Sequence, residues 1–310
     1  MSVRTSAVLR SMPLVDRRRL TRQLTPYLLI APAGLALALL LAYPWAFGFY
    51  TSLTNLRLGR LDQAQFVGLD NYIRLVTSGS FFSAARVTFT FALMCVTCEM
   101  ALGLGLALLL HRQIRGVRFY RALFLIPFMT PVVVCGLVWR QILDVNGVFN
   151  YLLGFLGIGP IAWLATSQTV LFGILIVDIW QTTPQVILLL LAGLQGIPSD
   201  LYEAATIDGA NSWQAFRSVT LPLLLPFFLV SLAIRSIELI QVLDIILVTT
   251  LGGPGDASLT LHIAAYREAF VNGFLGSGIA YAFLLGFIVL VVALVILRQS
   301  LAAQAAALGE

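Results

Sequence analysis

Six stretches of apolar residues in this chain are each long enough to cross a lipid bilayer. A helix needs about 20 residues to cross roughly 30 Å of hydrocarbon, where its backbone polar groups must bond within the segment. Charged residues make up only 11% of the chain, whereas a soluble domain has about 25%. We therefore predict an all-α integral membrane protein with six transmembrane helices. The apolar stretches cover residues 27–50, 85–110, 122–143, 169–192, 223–249 and 278–297.

The arginines predict how these spans are oriented. All 19 basic residues are Arg, and the sequence contains no Lys. An even number of spans places both termini on one side of the membrane. That side carries twelve Arg and the other side carries five, and loops rich in basic residues stay in the cytoplasm. We therefore predict that both termini are cytoplasmic, and we interpret the net charge of +5 as a topology signal with no nucleic-acid partner.

Residues that several classes of enzyme need are missing from the sequence or wrongly spaced. A Walker A loop needs its Lys on the nucleotide phosphates, so the chain is not itself a P-loop ATPase. The two histidines, His111 and His262, are too far apart for a zinc-binding helix motif. Cys95 and Cys98 lie inside an apolar run, where small residues at this spacing are typical of helix packing. We predict that the chain is not an enzyme and that it binds no cofactor and no metal.

The connection between the fourth and fifth apolar runs is more organised than a simple linker. Within residues 198–222, Asp200 and Glu203 have the spacing of a capping box, which predicts a helix from about Leu201. Gly209 then ends this helix, because glycine adopts the left-handed conformation without a steric penalty. The loop is therefore predicted to begin with a short helix and a tight turn.

A second short helix is predicted to follow. Ser212 can cap it, and Pro222 ends it and opens the fifth span. The first helix presents the small residues Ala204 and Ala205, a face that suits docking into a groove of another protein. A helix lying on lipid would need more basic residues than Arg217 on its polar face. We therefore predict a docking element in the cytoplasm.

This loop resembles the EAA loop of ATP-binding-cassette (ABC) importer permeases. Glu203-Ala204-Ala205 and Gly209 match the pattern, and so do residues 219–222, in which Val replaces the family's Ile. The resemblance extends over roughly residues 27–298 and implies the type I ABC importer fold. Further segments are similar to motifs of the permeases for maltose, trehalose and glycerol phosphate. They lie at residues 66–72, 115–131, 180–184, 191–195 and 252–254. The segment at 252–254 resembles the motif that marks the maltose-F-like member of the permease pair.

The resemblance implies a permease subunit of a binding-protein-dependent importer for a sugar, polyol or sugar-like solute in the bacterial cytoplasmic (inner) membrane. Its partners would be a second paralogous permease, an ABC ATPase dimer that carries ATP and Mg, and an extracytoplasmic solute-binding protein. The organisation would be an Arg-rich segment at 1–26, a permease domain at 27–298 with its coupling loop at 198–222, and a cytoplasmic tail at 299–310. The residues implied in coupling to the ATPase are Glu203, Ala204, Ala205, Asp208, Gly209, Leu221 and Pro222.

Polar side chains inside the apolar runs mark the predicted substrate path, since polar groups in lipid face the protein interior. Arg235 and Glu238, three residues apart, could instead pair and hold helices together, and this alternative stays open. On a continuous helix, Arg235 and Asp244 point in opposite directions, so we expect that they do not share one small site. The predicted path residues are Asp178, Gln181 and Gln185 on one face of the fourth span, and Arg235, Glu238 and Asp244 on the fifth.

An ion-coupled secondary transporter of a polar solute is the alternative function. Such a transporter would use intramembrane carboxylates for ion coupling and would have no need of an EAA loop. Adjacent genes for an exported binding protein and for a second EAA-bearing permease would decide in favour of the importer.

Overall fold

The structure is a computed structural model that describes residues 17–112 and 115–308, and the side chains of 29–60, 62–112 and 115–299. Most of the predicted Arg-rich segment, residues 1–16, lies outside the described residues. Within the described ranges the chain is helical and forms no strand, apart from isolated bridges such as that between Thr54 and Phe66. The all-α prediction is confirmed.

The described α-helices differ widely in length, and several are interrupted where a single transmembrane helix was predicted. One unit of the chain ends at Tyr50 within α1, and the other begins at Thr51 and holds the remaining helices. The α-helices in chain order are α1 (Arg17–Ser52), α2 (Asp70–Thr77), α3 (Gly79–His111), α4 (Val117–Met129), α5 (Val132–Ile142), α6 (Val148–Gly154), α7 (Val170–Gln195), α8 (Ser199–Ile207), α9 (Ser212–Ala215), α10 (Leu221–Ile240), α11 (Asp244–Thr249), α12 (Leu261–Tyr266) and α13 (Leu275–Leu308).

Five helical segments of the described chain are long and apolar enough to cross a membrane, and a sixth span exists if α4 and α5 count as one. The five segments agree with the first, second, fourth, fifth and sixth predicted runs. Helix α13 also continues through most of the predicted tail at 299–310. The five segments are Leu29–Ser52, Gly79–His111, Val170–Gln195, Ser212–Ile240 and Leu275–Gln299.

The third predicted span is not a single straight helix. Helices α4 and α5 meet at an angle of 96°, and the break falls at Thr130 and Pro131. Proline has no N–H and disfavours helical geometry in the residue before it. Thr130 accordingly has an extended conformation (φ −79°, ψ 129°), and regular bonding resumes where the Cys135 N–H donates to the Pro131 carbonyl at 2.9 Å.

The fifth predicted span is also interrupted. Helix α10 ends at Ile240, and α11 begins at Asp244. Between them, the N–H of Gln241 turns back to the Glu238 carbonyl at 3.1 Å, a shorter-range bond than the α-helical one. The prediction of one continuous helix through residue 249 is therefore wrong, and this break changes which side chains can meet.

Helix α7 lies at the centre of the second unit, where it contacts α3, α4 and α10. Its contact with α3 is close because of a glycine: a Cβ added to Gly103 would lie 2.4 Å from Cγ1 of Val186. Small residues allow helix backbones to approach in membranes, where apolar burial alone gives little driving force. This packing places the polar side chains of α3, α7 and α10 next to one another.

Candidate functional site

A buried ionic cluster joins three helices at the centre of the second unit. Arg235 of α10 donates from Nε to Oε2 of Glu99 on α3 at 2.7 Å, and from Nη2 to Glu99 Oε1 at 2.8 Å. Arg235 Nη2 also donates to Oδ2 of Asp178 on α7 at 3.0 Å. The side chains of Arg235 and Glu99 are 4% and 0% exposed. The paired arrangement is essential here, because an isolated charge in such a position would be strongly unfavourable.

A threonine on α7 completes the cluster. Thr182 Oγ1 accepts from Arg235 Nη2 at 3.0 Å and lies 2.7 Å from Glu99 Oε1. It also lies 2.6 Å from the carbonyl oxygen of Asp178, so its single proton can be donated to either oxygen. The cluster is thus held by both charged and neutral hydrogen bonds.

Glu238 is the partly exposed member of the cluster. Arg235 Nη1 donates to Glu238 Oε2 at 2.6 Å, one turn along the same helix. The side chain of Glu238 is 44% exposed, and its other oxygen accepts from Nε2 of Gln185 at 3.2 Å. The pairing alternative considered for Arg235 and Glu238 therefore exists in the structure, and it holds Glu238 in a fixed orientation.

A second glutamine on α7 contacts the break between α4 and α5. Gln181 Nε2 donates to the carbonyl oxygen of Thr130 at 3.2 Å. This carbonyl belongs to the residue whose extended conformation ends α4. Because Gln181 is buried, an unpartnered carbonyl or amide at this place would cost free energy. The glutamine therefore ties the bent span to α7.

A cavity of about 500 Å³ opens beside the cluster. It lies between the end of α4, the break before α5, and helices α7, α10 and α11. All six residues predicted for the substrate path line this cavity: Asp178, Gln181, Gln185, Arg235, Glu238 and Asp244.

One geometric expectation about this cavity is wrong. Arg235 and Asp244 were expected to face opposite directions, and both line the same cavity. The expectation assumed an unbroken helix, whereas α10 ends at Ile240 and the chain turns before Asp244 begins α11. The interruption brings the carboxylate of Asp244 back toward the face of α10 that carries Arg235.

Two members of the site lie outside the six residues predicted for the path, although the sequence marks both as polar residues within apolar runs. Glu99 and Thr182 complete the coordination of Arg235. The signal for Glu99 was available, because a lone carboxylate in the middle of an apolar run is expected to have a partner. Thr130 had no such signal, since its contribution is a backbone carbonyl exposed by the break.

The predicted coupling loop folds as two helices joined by a tight turn. Helix α8 contains Glu203, Ala204 and Ala205. Asp208 follows its last turn, and its N–H donates to the Ala204 carbonyl at 3.0 Å. Gly209 has φ +79°, so the predicted left-handed turn is present. The remaining two predicted coupling residues, Leu221 and Pro222, open α10.

The start of α8 differs from the prediction. The helix begins at Ser199, two residues before Leu201, and Asp200 and Glu203 do not form a capping box. Pro198 precedes the helix with an extended backbone (ψ 137°) and no side-chain cap. The first turn is instead closed by the backbone, where the Leu201 N–H donates to the Pro198 carbonyl at 3.4 Å.

The second short helix also differs in its cap and its end. The cap is Asn211 instead of Ser212: Gln214 N–H donates to Asn211 Oδ1 at 3.0 Å, and Asn211 N–H donates to Gln214 Oε1 at 2.8 Å. The helix does not end at Pro222, because a π-helical turn at Phe216–Thr220 leads from it directly into α10. Pro222 lies in the first turn of α10, and because it has no N–H, the helical segment passes through this position with one backbone hydrogen bond fewer.

The coupling loop leaves large apolar side chains uncovered. Ile207 is 86% exposed and Trp213 is 69% exposed. Helix α8 is nevertheless tied to the π-helical turn that follows α9, since the Tyr202 and Thr220 hydroxyls lie 3.0 Å apart. A fixed loop with exposed apolar side chains has the properties of a surface that another protein covers.

Apolar helices around a polar cavity, with a separate two-helix loop, define a membrane permease. Residues 99–304 match the family described as binding-protein-dependent transport system inner membrane component. The chain belongs to this family. It is therefore the transmembrane permease subunit of an ABC importer and not an enzyme, and its membership favours this function over an ion-coupled secondary transporter.

Individual relatives agree with this assignment. The chain is 39% identical over 273 residues to the trehalose/maltose transport system permease protein MalF of Thermococcus litoralis. The match covers 88% of this chain and 92% of that protein. It is 32% identical over 282 residues to the trehalose transport system permease protein SugA of Mycobacterium tuberculosis, across 90% of each chain.

The fold is shared with solved importers. A bacterial ABC transporter involved in the import of the acidic polysaccharide alginate matches with a TM-score of 0.78 at 20% identity, over 92% of this chain and 97% of that chain. This likeness concerns the fold alone. It confirms the predicted type I ABC importer fold.

Proposed function

We propose that the cavity between α4, α7, α10 and α11 is this chain's part of the path for a sugar, polyol or sugar-like solute. The observation that supports the proposal most strongly is that one cavity of about 500 Å³ gathers the six polar side chains at positions 178, 181, 185, 235, 238 and 244. A volume of this size suits a small solute. The relatives from T. litoralis and M. tuberculosis are named as trehalose/maltose and trehalose permeases, which agrees with a carbohydrate.

The wall of this path is preorganised by its own contacts. Arg235 orients Glu238, and Gln185 donates to the same carboxylate. Fixed acceptors of this kind bind hydroxyl groups without first reordering their side chains, which reduces the entropic cost of binding. The solute would therefore meet a rigid polar surface beside the apolar side chains of Phe128 and Leu239.

The coupling loop would transmit motion from a partner ATPase. In this proposal the ATPase dimer carries ATP and Mg, and Glu203 of α8 pairs with a basic group in its cleft. Closure of the dimer moves the loops of this chain and of a paralogous permease together, so that the cavity turns toward an extracytoplasmic solute-binding protein. Both termini of this chain lie in the cytoplasm, as the distribution of Arg predicts.

Reconstitution of the complete assembly tests this function. We expect co-expression with the paralogous permease and the ATPase to give a complex with one copy of each permease and two ATPases. In proteoliposomes with loaded binding protein, trehalose or maltose uptake should require ATP. Glu203→Gln should strongly reduce uptake, whereas Asp62→Asn, which changes an exposed carboxylate outside the loop, should not.

Two results would contradict the proposal. One is a homodimer of this chain that transports the sugar without the other subunits. The other is uptake that follows an ion gradient and continues without ATP.

A further inference from the structure

We propose that the cavity selects its solute by charge, accepting an uncharged polyhydroxylated solute and disfavouring anionic ones such as uronic acids and sugar phosphates. This inference rests on the proposed function, because it concerns the same solute path. Three features of the cavity wall support it: all three nitrogens of the arginine already donate to carboxylates, carboxylates are in excess, and each amide nitrogen already makes one hydrogen bond within the wall.

Arg235 is already surrounded by the carboxylates that neutralise it. Among the described residues that line the cavity it is the one basic side chain. Its Nε, Nη1 and Nη2 groups donate to three carboxylates, and its side chain is 4% exposed. A guanidinium has five N–H donors in a fixed planar arrangement. Because all three nitrogens already donate to carboxylates, an anionic solute at this guanidinium would lie next to negative charge that is already in place.

The carboxylates outnumber this single cation. Glu99, Asp178 and Glu238 surround Arg235, and Asp244 lies exposed at the same cavity. Four carboxylates against one guanidinium leave a formal charge of −3. If two of them held protons, the group would still carry a net negative charge. The negative sign of the electrostatic potential in the cavity therefore does not depend on the protonation of a single residue.

Each amide nitrogen of the wall already uses one of its two N–H donors. Gln181 Nε2 donates to the Thr130 carbonyl at 3.2 Å, and Gln185 Nε2 donates to Glu238 at 3.2 Å. What the wall offers a solute is thus mainly hydrogen-bond acceptors. Hydroxyl groups can donate to these acceptors, whereas a carboxylate or phosphate group can only accept. An anionic solute would therefore meet unfavourable charge and donors that are already partly used.

The charge of the cavity can be measured without knowing the solute. We suggest replacing Cys95, Cys98 and Cys135 by Ala in the complete purified complex and introducing Val242→Cys, which places a thiol at the cavity wall. Leu243→Cys provides a second, independent position on the same wall. The probes are methanethiosulfonate reagents of similar size that carry a trimethylammonium, a sulfonate or an uncharged group. Ser167→Cys, on an exposed turn outside the cavity, is the reference thiol.

We expect the ratio of cationic to anionic labelling rates to be at least about tenfold higher in the cavity than at the reference thiol. Charged clefts with low-dielectric walls concentrate ions of opposite sign by about this factor or more. Asp244→Asn should lower the ratio several-fold, because it removes one charge from the wall. Asp62→Asn makes the same chemical change outside the cavity and should leave the ratio unchanged.

An equal or inverted ratio at both cavity positions would overturn the charge selection, because it would mean that the paired permease supplies compensating positive charge. Failure of the uncharged reagent to reach either thiol would overturn the premise that solutes enter this cavity. These outcomes are independent of sugar transport. A complex that transports no sugar but labels as expected would contradict the proposed function alone.

Discussion

Arg235 connects helices that are far apart in the sequence. Its guanidinium contacts Glu99 on α3 and Asp178 on α7 with distances between 2.7 and 3.0 Å. Replacing a buried ion pair by apolar residues can be neutral, but removing one partner leaves an uncompensated charge and costs about 3–5 kcal/mol. The arginine is therefore expected to matter for assembly as well as for the shape of the cavity.

We expect Arg235→Gln to destabilise the complex by about 3–5 kcal/mol, because two buried carboxylates lose their cation. Thermal unfolding and the yield of purified complex measure this loss. Adding Glu99→Gln should restore part of it. Arg267→Gln is the matched control, since its partner Asp256 is exposed and such pairs contribute about 1 kcal/mol or less. Unchanged stability of the Arg235→Gln complex would show that the cluster is not structurally important.

The sequence predicted the polar residues that line the cavity and offered the pairing of Arg235 with Glu238, but it did not predict the contact of Arg235 with Glu99. Arg235 and Glu99 are separated by 136 positions, and no local pattern indicates such a contact. The residue types were nevertheless informative, since an ionisable side chain in an apolar run must find a partner. Which partner it finds depends on helix packing, including the close approach at Gly103.

At the level of helices, apolar runs predicted the spans well and their interruptions poorly. The average hydropathy of a run does not reveal where its backbone bends. Pro131 was a signal for the break between α4 and α5, whereas the break after Ile240 contains neither Pro nor Gly. That second break is set by tertiary structure, and it explains why Asp244 shares a cavity with Arg235.

Gly209 is a position where local sequence and structure agree. It has φ +79°, and a Cβ there would have no neighbour within 4 Å. Any effect of substitution must therefore come from the backbone, where a residue with a Cβ costs about 1–2 kcal/mol in the left-handed region.

We expect Gly209→Val to leave membrane insertion intact but to reduce uptake and solute-stimulated ATP hydrolysis severely, because the turn between α8 and α9 would change. Gly209→Asn is the matched variant, since Asn tolerates the left-handed conformation better than other residues. It should keep most of the activity. Equal activity of the Val and Asn variants would mean that the geometry of this turn is not needed for coupling.

For the whole molecule, the motifs of the coupling loop predicted the class of protein, and the family match confirms it. The same loop illustrates the limit of local patterns, since the capping box occurs at Asn211 and Gln214 and not at Asp200 and Glu203. A motif reports the residues that a partner would recognise. The motif does not determine which residue caps each helix of the loop.

In the proposed function, the solute passes through the cavity beside Arg235. Sugar uptake by the reconstituted complex tests it most directly, in Gln181→Leu and Gln185→Leu variants compared with Gln141→Leu, a matched change at an exposed position outside the cavity. We expect the two cavity variants to assemble but to lose about 5- to 150-fold in apparent affinity or rate, which corresponds to about 1–3 kcal/mol for unpaired polar groups. The Gln141→Leu complex should transport normally. Wild-type uptake by both cavity variants would contradict the account and place the path elsewhere.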